Sequence, residues 1–183
     1  MLKNISSYFI KLIFIYIDEK QKLKIVKCNK NLQKNIDINI INYKFFTGKY
    51  IIYQSKRIGK EYIGKDNILV YEGEYLNGER NGKGKEYYKD GKLLFEGEYL
   101  NGKRNGKGKE YYDDETLRFE GEYLYGERNG KGKEYYSDGK LKFEGEFKNG
   151  KRNGKGKEFY ENGEVKYEGE YLNGKRINPN QKV

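Results

Sequence analysis

Aromatic and charged residues alternate along the second half of the chain in short segments. One segment reads FEGEYL from Phe95 to Leu100, so that glutamates separate Phe95, Gly97 and Tyr99. Alternation with a period of two predicts a β-strand that has one apolar face and one charged face. Asn-Gly, Asp-Gly or both flank these segments, and such dipeptides favour tight turns. The pattern therefore predicts antiparallel β-hairpins.

The alternating segments belong to a tandem unit of 24 residues. Full units begin at Tyr71, Phe95, Phe119 and Phe143, and a partial unit runs from Tyr167 to about Arg176. An eroded unit precedes them. A fixed period of this length indicates a repeat architecture. We therefore predict a mainly β protein, an elongated antiparallel β-hairpin array in one twisted sheet over residues 43–177, with a small N-terminal helical region.

Turn chemistry predicts the register of each hairpin. If Asp90 and Gly91 form a two-residue type I′ turn, Lys89 faces Lys92 and Tyr88 faces Leu93. Lysines and glutamates then face each other at eight positions, each pair contributing about 0.2–1 kcal/mol. The pairs are Lys83–Glu98, Lys85–Glu96, Lys107–Glu122, Lys109–Glu120, Lys131–Glu146, Lys133–Glu144, Lys155–Glu170 and Lys157–Glu168.

Two other turns receive different predictions. The segment Asn101–Gly106 contains two Asn-Gly pairs, and we expect a wider loop there. In the second full unit Asp114-Glu115-Thr116 replaces Asp-Gly-Lys. A residue other than glycine is disfavoured at positive φ, so we expect a looser or longer turn.

The predicted register places the rings and strand glycines on the face opposite the lysines and glutamates. A single open sheet would leave this ring face uncovered, and large exposed apolar patches usually mark interaction sites. We therefore predict that it binds a protein partner or a second copy, and the alternative is packing between units. The candidate residues are Phe95, Tyr99, Phe119, Tyr123, Phe143, Phe147, Tyr167 and Tyr171.

Basic residues after the Asn-Gly pairs form a second candidate site. They would lie in a row along one edge of the array, where anionic phospholipid headgroups could be bound. A solvated edge is the alternative interpretation. The candidate residues are Arg80, Lys103, Arg104, Arg128, Lys151 and Arg152.

Charge separates the N-terminal region from the repeats. Residues 1–70 hold 14 Lys and Arg against 5 Asp and Glu, whereas residues 71–166 hold 21 of each. Because the repeats are neutral, we expect no nucleic-acid binding. We interpret residues 1–42 as a basic helical region that caps the sheet, with a signal or anchor segment as an alternative. Residues 178–183 are predicted to be a disordered tail.

Candidate catalytic chemistry is scarce. The chain has no histidine and one cysteine, Cys28. A reducing compartment is therefore favoured, and histidine-based acid–base or metal chemistry is excluded. The repeated glutamates face lysines, which makes them pairing residues instead of an acid–base pair. We expect a cytoplasmic protein, or one attached peripherally to a membrane. We expect it to have no enzyme activity, catalytic residue, metal or cofactor.

Residues 13–32, IFIYIDEKQKLKIVKCNKNL, loosely resemble the F-box, although its usual starting Leu-Pro is missing. The resemblance implies docking on the adaptor of a ubiquitin ligase, and thus a substrate-adaptor function as an alternative to the scaffold. A plain helical cap remains the other interpretation of this segment.

The repeated pattern FEGEYLNGKRNGKGKEYY resembles the MORN repeat over roughly residues 46–176. The match falls on Tyr71, Gly73, Tyr75, Gly78, Gly82 and Gly84 and on their copies in later units. Tyr or Phe stands where the family usually has Trp, and Asn stands where it often has His. The resemblance implies a β-hairpin array with scaffolding, membrane-associated or dimerisation roles and no catalysis of its own.

Overall fold

A computed structural model of the chain describes residues 49–64 and 66–177. Twelve strands lie side by side in chain order in an open antiparallel sheet, which confirms the predicted hairpin array. The strands are β1 (Lys49–Tyr53), β2 (Ile58–Ile63), β3 (Ile68–Leu76), β4 (Glu79–Tyr87), β5 (Leu93–Leu100), β6 (Lys103–Tyr111), β7 (Leu117–Leu124), β8 (Glu127–Tyr135), β9 (Leu141–Lys148), β10 (Lys151–Phe159), β11 (Val165–Leu172) and β12 (Lys175–Arg176). The predictions for residues 1–42, including the F-box-like segment, and for residues 178–183 lie outside the described residues.

The described residues divide into two compact units. In the smaller one, which includes residues 49–52 and 61–68 apart from residue 65, Tyr50 stacks on Tyr62 with ring centroids 5.3 Å apart. The Tyr50 hydroxyl donates a hydrogen bond to Asn67 Oδ1 at 2.6 Å, and Lys49 Nζ lies 2.6 Å from Glu61 Oε1. The larger unit includes residues 53–60 and 69–177, and it contains all the full repeats.

The predicted charge register is confirmed in the larger unit. Lys85 faces Glu96 and Lys83 faces Glu98 between β4 and β5, and the other six predicted pairs face each other in the later hairpins. Gly84 faces Gly97 in the same register. A shift by one residue would exchange the two faces, so the charges and rings specify this alignment together.

The Asp-Gly turns differ from the prediction. Tyr88 N–H donates to the Lys92 carbonyl at 2.9 Å, and Gly91 N–H donates to the Tyr88 carbonyl at 3.0 Å. Gly91 alone takes positive φ, 87°, so the loop has three residues and is not a two-residue type I′ turn. The predicted facings of Lys89 with Lys92 and Tyr88 with Leu93 are therefore wrong. Tyr87 pairs with Leu93 and Glu86 with Phe95, and the resulting irregularity restores the predicted register beyond it.

The Asn-Gly turns are tighter than predicted. Asn101 has φ 50° and Gly102 has φ 80°, and Leu100 pairs with Lys103 across them. Two central residues at positive φ form the type I′ turn that joins strands most closely. The second Asn-Gly pair lies within β6 at an irregularity of the ladder, where the Lys107 N–H donates to Glu98 Oε2 at 3.3 Å. The expected wider loop is therefore wrong.

The unit with Asp114 and Glu115 keeps the common turn length. Tyr112 N–H donates to the Thr116 carbonyl at 2.9 Å, as in the glycine-containing turns, and Glu115 occupies the glycine position at φ 66°. The Thr116 N–H and hydroxyl both donate to Asp114 Oδ1, at 2.9 and 2.5 Å. The bond from the backbone N–H also occurs in the glycine-containing turns, where Lys92 N–H donates to Asp90 Oδ1 at 3.2 Å, and only the hydroxyl bond is additional. The turn keeps the same length and closing hydrogen bonds, so the prediction of a looser turn is wrong.

The core is a single line of aromatic rings over the strand glycines. Phe95, Phe119 and Phe143 are each 0% exposed. The Phe95 ring meets Tyr99 edge-on at 5.7 Å and Tyr123 of the next unit at 5.2 Å. A Cβ atom on Gly97 would lie 2.7 Å from Phe95 Cζ, so only glycine leaves room for the ring. Each unit therefore buries its ring against the unit that follows it.

Candidate functional site

A ladder of ion pairs covers the ring face. Each arginine after an Asn-Gly turn lies over the aromatic ring of its own unit, and Arg104 Cζ is 4.1 Å from the Phe95 centroid. The Arg104 guanidinium bridges two carboxylates, with Nη2 2.7 Å from Glu86 and Nη1 3.5 Å from Glu110. Arg128 bridges Glu110 and Glu134 in the same way. The ladder therefore joins successive units through buried charge.

Ionisation of the buried groups follows from these contacts. Burial disfavours the charged form of Glu86, but the hydrogen bonds and charge of Arg104 outweigh it and lower the pKa of Glu86 below its ordinary value. The same opposition of burial and Arg128 lowers the pKa of Glu110. Burial and the neighbouring Glu86 raise the pKa of Tyr99, whose hydroxyl donates to Glu86 Oε1 at 2.7 Å. The carboxylates of Glu86 and Glu110 and the guanidinium groups of Arg104 and Arg128 are therefore charged at neutral pH.

The rings that we predicted as a partner surface are buried. Phe95, Phe119 and Phe143 are 0% exposed, and Tyr99, Tyr123, Phe147 and Tyr171 are 3 or 4% exposed. Tyr167 is partly exposed. The expectation that an open sheet leaves these rings uncovered is wrong, because arginines and rings of neighbouring units cover them. Contact between these residues and a partner stays a prediction.

The residues of the predicted basic edge occupy two different environments in the structure. The side chains of Arg80, Arg104, Arg128 and Arg152 are only 16–20% exposed and are ion-paired with the buried glutamates. Lys103 and Lys151 are exposed at the edge, where Glu79 and Glu127 alternate with them. The structure therefore brings the arginines together over the rings and not in a solvated row. Lipid binding stays a prediction.

Comparison of the full units with one another indicates which residues form the arginine network. The position before each arginine changes between Glu and Lys, as in Glu79 and Lys103, whereas the arginine and the glutamate six residues after it recur in every full unit. Such invariance within a periodic chain is typical of packed positions. The predicted basic edge combines both positions, although only the arginine recurs in every full unit.

A long groove lies on the face opposite the rings. It has a volume of about 1290 Å³ and crosses the strands of the larger unit. The backbone of the strand glycines forms its centre, and the facing lysines and glutamates line both sides. Gln54 and Ile58 lie at one end. This groove is a long concave surface with charged side chains along both sides, which makes it the candidate site for a ligand.

Charge alternates along the groove from strand to strand. Each of β4, β6, β8 and β10 contributes two lysines, and each of β5, β7, β9 and β11 contributes two glutamates. Neighbouring strands are about 4.7–4.9 Å apart, so the sign changes at that interval. Among the eight facing pairs in the described repeats, only Lys85–Glu96 and Lys157–Glu168 approach within 4.0 Å, at 4.0 and 2.9 Å. The groove therefore presents both signs of charge to a ligand.

Tyrosines support one side of the groove. The hydroxyl of Tyr87 donates to Glu72 Oε1 at 2.5 Å, and that of Tyr111 donates to Glu96 Oε1 at 2.7 Å. The hydrogen bond from Tyr87 lowers the pKa of Glu72 against the effect of burial. Tyr87 therefore shares a face with the lysines and glutamates. Within the described chain, no cluster of carboxylates or cysteines is arranged to hold a metal ion.

Family models match the repeats in tandem. The model described as "MORN repeat" matches residues 71–92, 95–116, 143–165 and 167–176, and the "MORN repeat variant" model matches residues 128–149. Together they cover half of the chain. Nothing in these matches supports the F-box-like interpretation of residues 13–32. In the stretches of sequence that the structure describes, no helix is long and apolar enough to cross a membrane.

Solved structures that the chain resembles include "Crystal Structure of TarM", at 14% identity with a TM-score of 0.38. A mutant of S. aureus TarM, in complex with Fondaparinux, alpha-GlcNAc-glycerol and UDP, is also 14% identical and has a TM-score of 0.39. In both comparisons the match covers 61% of this chain and 24% of the other chain. The chain therefore spans about a quarter of those proteins. No curated protein matches the sequence.

Proposed function

The chain belongs to the MORN repeat family, and on this premise we propose that it is a non-enzymatic scaffold that binds a polypeptide partner along the charged groove. The observation that supports the proposal best is the groove itself, which extends across the full repeats and presents lysines and glutamates in alternation. A module that binds a chain lengthwise needs a long surface with many equivalent contacts. Tandem repeats supply such a surface.

Balanced charge favours a polypeptide over a polyanion. The lining holds nearly equal numbers of lysines and glutamates, so a nucleic acid would meet repulsion at every second strand. A polypeptide can present carboxylates to the lysine strands and basic side chains to the glutamate strands. The half-buried arginines on the opposite face join neighbouring units, and a preformed sheet lowers the entropic cost of binding.

The proposal is tested by changing the groove while leaving the core intact. Proteins cross-linked to the full-length chain in cells are identified, and the affinity of each purified candidate is measured. Lys109→Gln with Lys133→Gln should weaken binding of the partner by about tenfold or more, because both lysines lie in the middle of the groove. The melting temperature should change little, since both side chains lie outside the ring core.

The matched control is Lys89→Gln with Lys140→Gln. Both lysines are exposed and lie outside the groove, Lys89 within one three-residue turn and Lys140 directly after another. The variant has the same net charge as the test variant. Long-range attraction would weaken equally in the two variants. Equal affinities for the partner in test variant, control and wild type would exclude the groove as its binding site.

A further inference from the structure

The central part of the groove is chemically the same in every full unit. Its lysines, glutamates and glycines recur at the same places in each full unit. A partner that binds only these residues could shift by one unit without losing contacts. A specific complex needs a feature that makes one unit different from the next.

An exposed row of leucines flanks the groove and is interrupted once. Leu100 follows Glu96 and Glu98 at alternate positions of β5 and so shares their face. Leu76, Leu100 and Leu124 are 48, 46 and 43% exposed, and we call them the leucine row. The equivalent position in the next unit is the exposed Lys148. The apolar row is therefore continuous over three units, is interrupted by a positive charge at Lys148, and resumes at Leu172, which is 56% exposed.

Tyr125 directly follows Leu124, the last leucine before the interruption. It occupies the first central position of a tight turn at φ 52°, where Asn77, Asn101 and Asn149 stand in other units at φ 50–51°. Asparagine tolerates this conformation, and a bulky residue is strained in it. The tyrosine ring is also 70% exposed, more than any other large apolar side chain in the described residues. A strained backbone that presents an uncovered ring points to a binding role.

The spacing of the row selects the conformation of its ligand. Equivalent residues in successive units are two strands apart, which is about 9.4–9.8 Å. A polyproline II segment places every third side chain on one side at intervals of about 9.3 Å. In an α-helix, side chains seven residues apart lie on the same side at intervals of about 10.5 Å. In an extended strand, side chains two residues apart lie on the same side at intervals of about 6.6–6.8 Å. The side chains of a polyproline II segment therefore stay opposite the leucines over three units. Those of an α-helix or an extended strand move progressively out of alignment with the leucines.

We propose that the leucine row, Tyr125 and Lys148 form an anchor that sets the position of an extended, polyproline II-like partner segment in the groove. The segment has apolar side chains at every third residue opposite the leucine row, and an acidic residue opposite Lys148. Tyr125 packs against the last apolar position of the segment. This inference rests on the proposed function and adds the chemistry and register of the partner.

The first experiment uses a defined peptide with the full-length chain. The probe consists of three Pro-Pro-Leu triplets followed by Pro-Pro-Glu, synthesised in this order and in the reverse order, with a fluorophore at one end. Binding is measured by fluorescence anisotropy. The peptide of one sequence order should bind to the wild-type chain. Tyr125→Asn should weaken the affinity for this peptide by about tenfold, as expected for an aromatic anchor. The same variant should melt about 2–4 °C higher, since it relieves the backbone strain.

Tyr160→Asn is the control for Tyr125→Asn. Tyr160 is also an exposed tyrosine, at 49%, but lies in a three-residue turn away from the leucine row. It should leave the affinity for the peptide unchanged. If Tyr125→Asn raises the melting temperature and binds the peptide as tightly as wild type, Tyr125 is only a strained turn residue and the anchor is wrong.

The second experiment reads the register directly. A photoreactive group beside the peptide glutamate should cross-link mainly to residues 143–166 in wild type. Lys148→Leu makes the leucines continuous from Leu76 to Leu172, so the cross-links should spread to other units while the affinity stays within about twofold. Cross-links that are spread over all units in wild type would overturn the proposed register.

Failure of the anchor differs from failure of the proposed function. A helical peptide with leucines at every seventh residue is measured beside the probe. Tighter binding of the helical peptide, or no binding of either order of the probe, would overturn the polyproline II inference. The partner assay with Lys109→Gln and Lys133→Gln would still report on the groove independently.

Discussion

The two faces of the same strands use the same two charges in opposite ways. On the ring face, Arg104 is 20% exposed and contacts Glu86 at 2.7 Å above a buried ring. On the groove face, Lys109 and Glu120 face each other across β6 and β7 but do not come within 4.0 Å. The first arrangement stabilises neighbouring units, whereas the second leaves charged groups for a ligand. Side-chain geometry and burial thus decide whether a charge pair serves the fold or recognition.

Removal of a central ring should cause the largest loss of stability among the predicted changes. Phe119→Ala removes a side chain that is 0% exposed, and we expect it to lower the free energy of unfolding by about 3–5 kcal/mol. Urea denaturation followed by circular dichroism measures the change. Tyr160→Ala, at a ring that is 49% exposed, should cost less than about 1 kcal/mol. Similar losses in both variants would mean that the ring line is not the core.

Acid should remove the stability that the ion pairs of the ring face contribute. The pKa of Glu110 is below its ordinary value of 4.5, because Arg128 outweighs the effect of burial. A carboxylate with a lowered folded-state pKa contributes stability above pH 4.5, and this stability is lost as the pH falls through the folded-state value. The Glu110→Gln variant should therefore be less stable than wild type at pH 7, and the difference should shrink in acid. Denaturation midpoints from about pH 7 to about pH 2 test this.

Glu122→Gln is the groove-face control for that titration. Glu122 is exposed and faces Lys107. Its substitution should change the free energy of unfolding by about 0.5 kcal/mol or less across the same pH range. A gap between wild type and Glu110→Gln that stays constant down to the acid end of the range would contradict the assigned ion pair.

The smallest expected effect concerns the turn that joins β6 to β7. Glu115→Gly replaces a residue at φ 66° with one that adopts this conformation readily, and should stabilise the protein by about 1 kcal/mol. Gly139→Glu makes the reverse change in the next unit and should destabilise by a similar amount. Thermal unfolding of both variants measures the two changes in stability. No gain in Glu115→Gly would contradict the prediction and would mean that Glu115 is not strained at φ 66°.

Turn types illustrate how a correct register can follow from an incorrect local prediction. The loop at Asp90 has three residues, and an irregularity at Glu86 and Tyr87 absorbs the extra residue. Lys85 and Glu96 therefore face each other as predicted. Turn dipeptides indicate where the chain reverses, but not how many residues the reversal uses. The opposing charges and the facing glycines constrain the alignment more strongly than the turn does.

By itself the sequence determined the repeat, the strand order and the facing of lysines with glutamates. These features depend on contacts within one hairpin or between consecutive hairpins, which alternation and charge encode locally. Only the tertiary structure decided that arginines 18 residues after their glutamate partners cover the rings, and that the opposite face holds the groove. The reason is physical: an arginine can lie over a ring or extend into solvent with the same strand register. Packing between neighbouring units chooses between them.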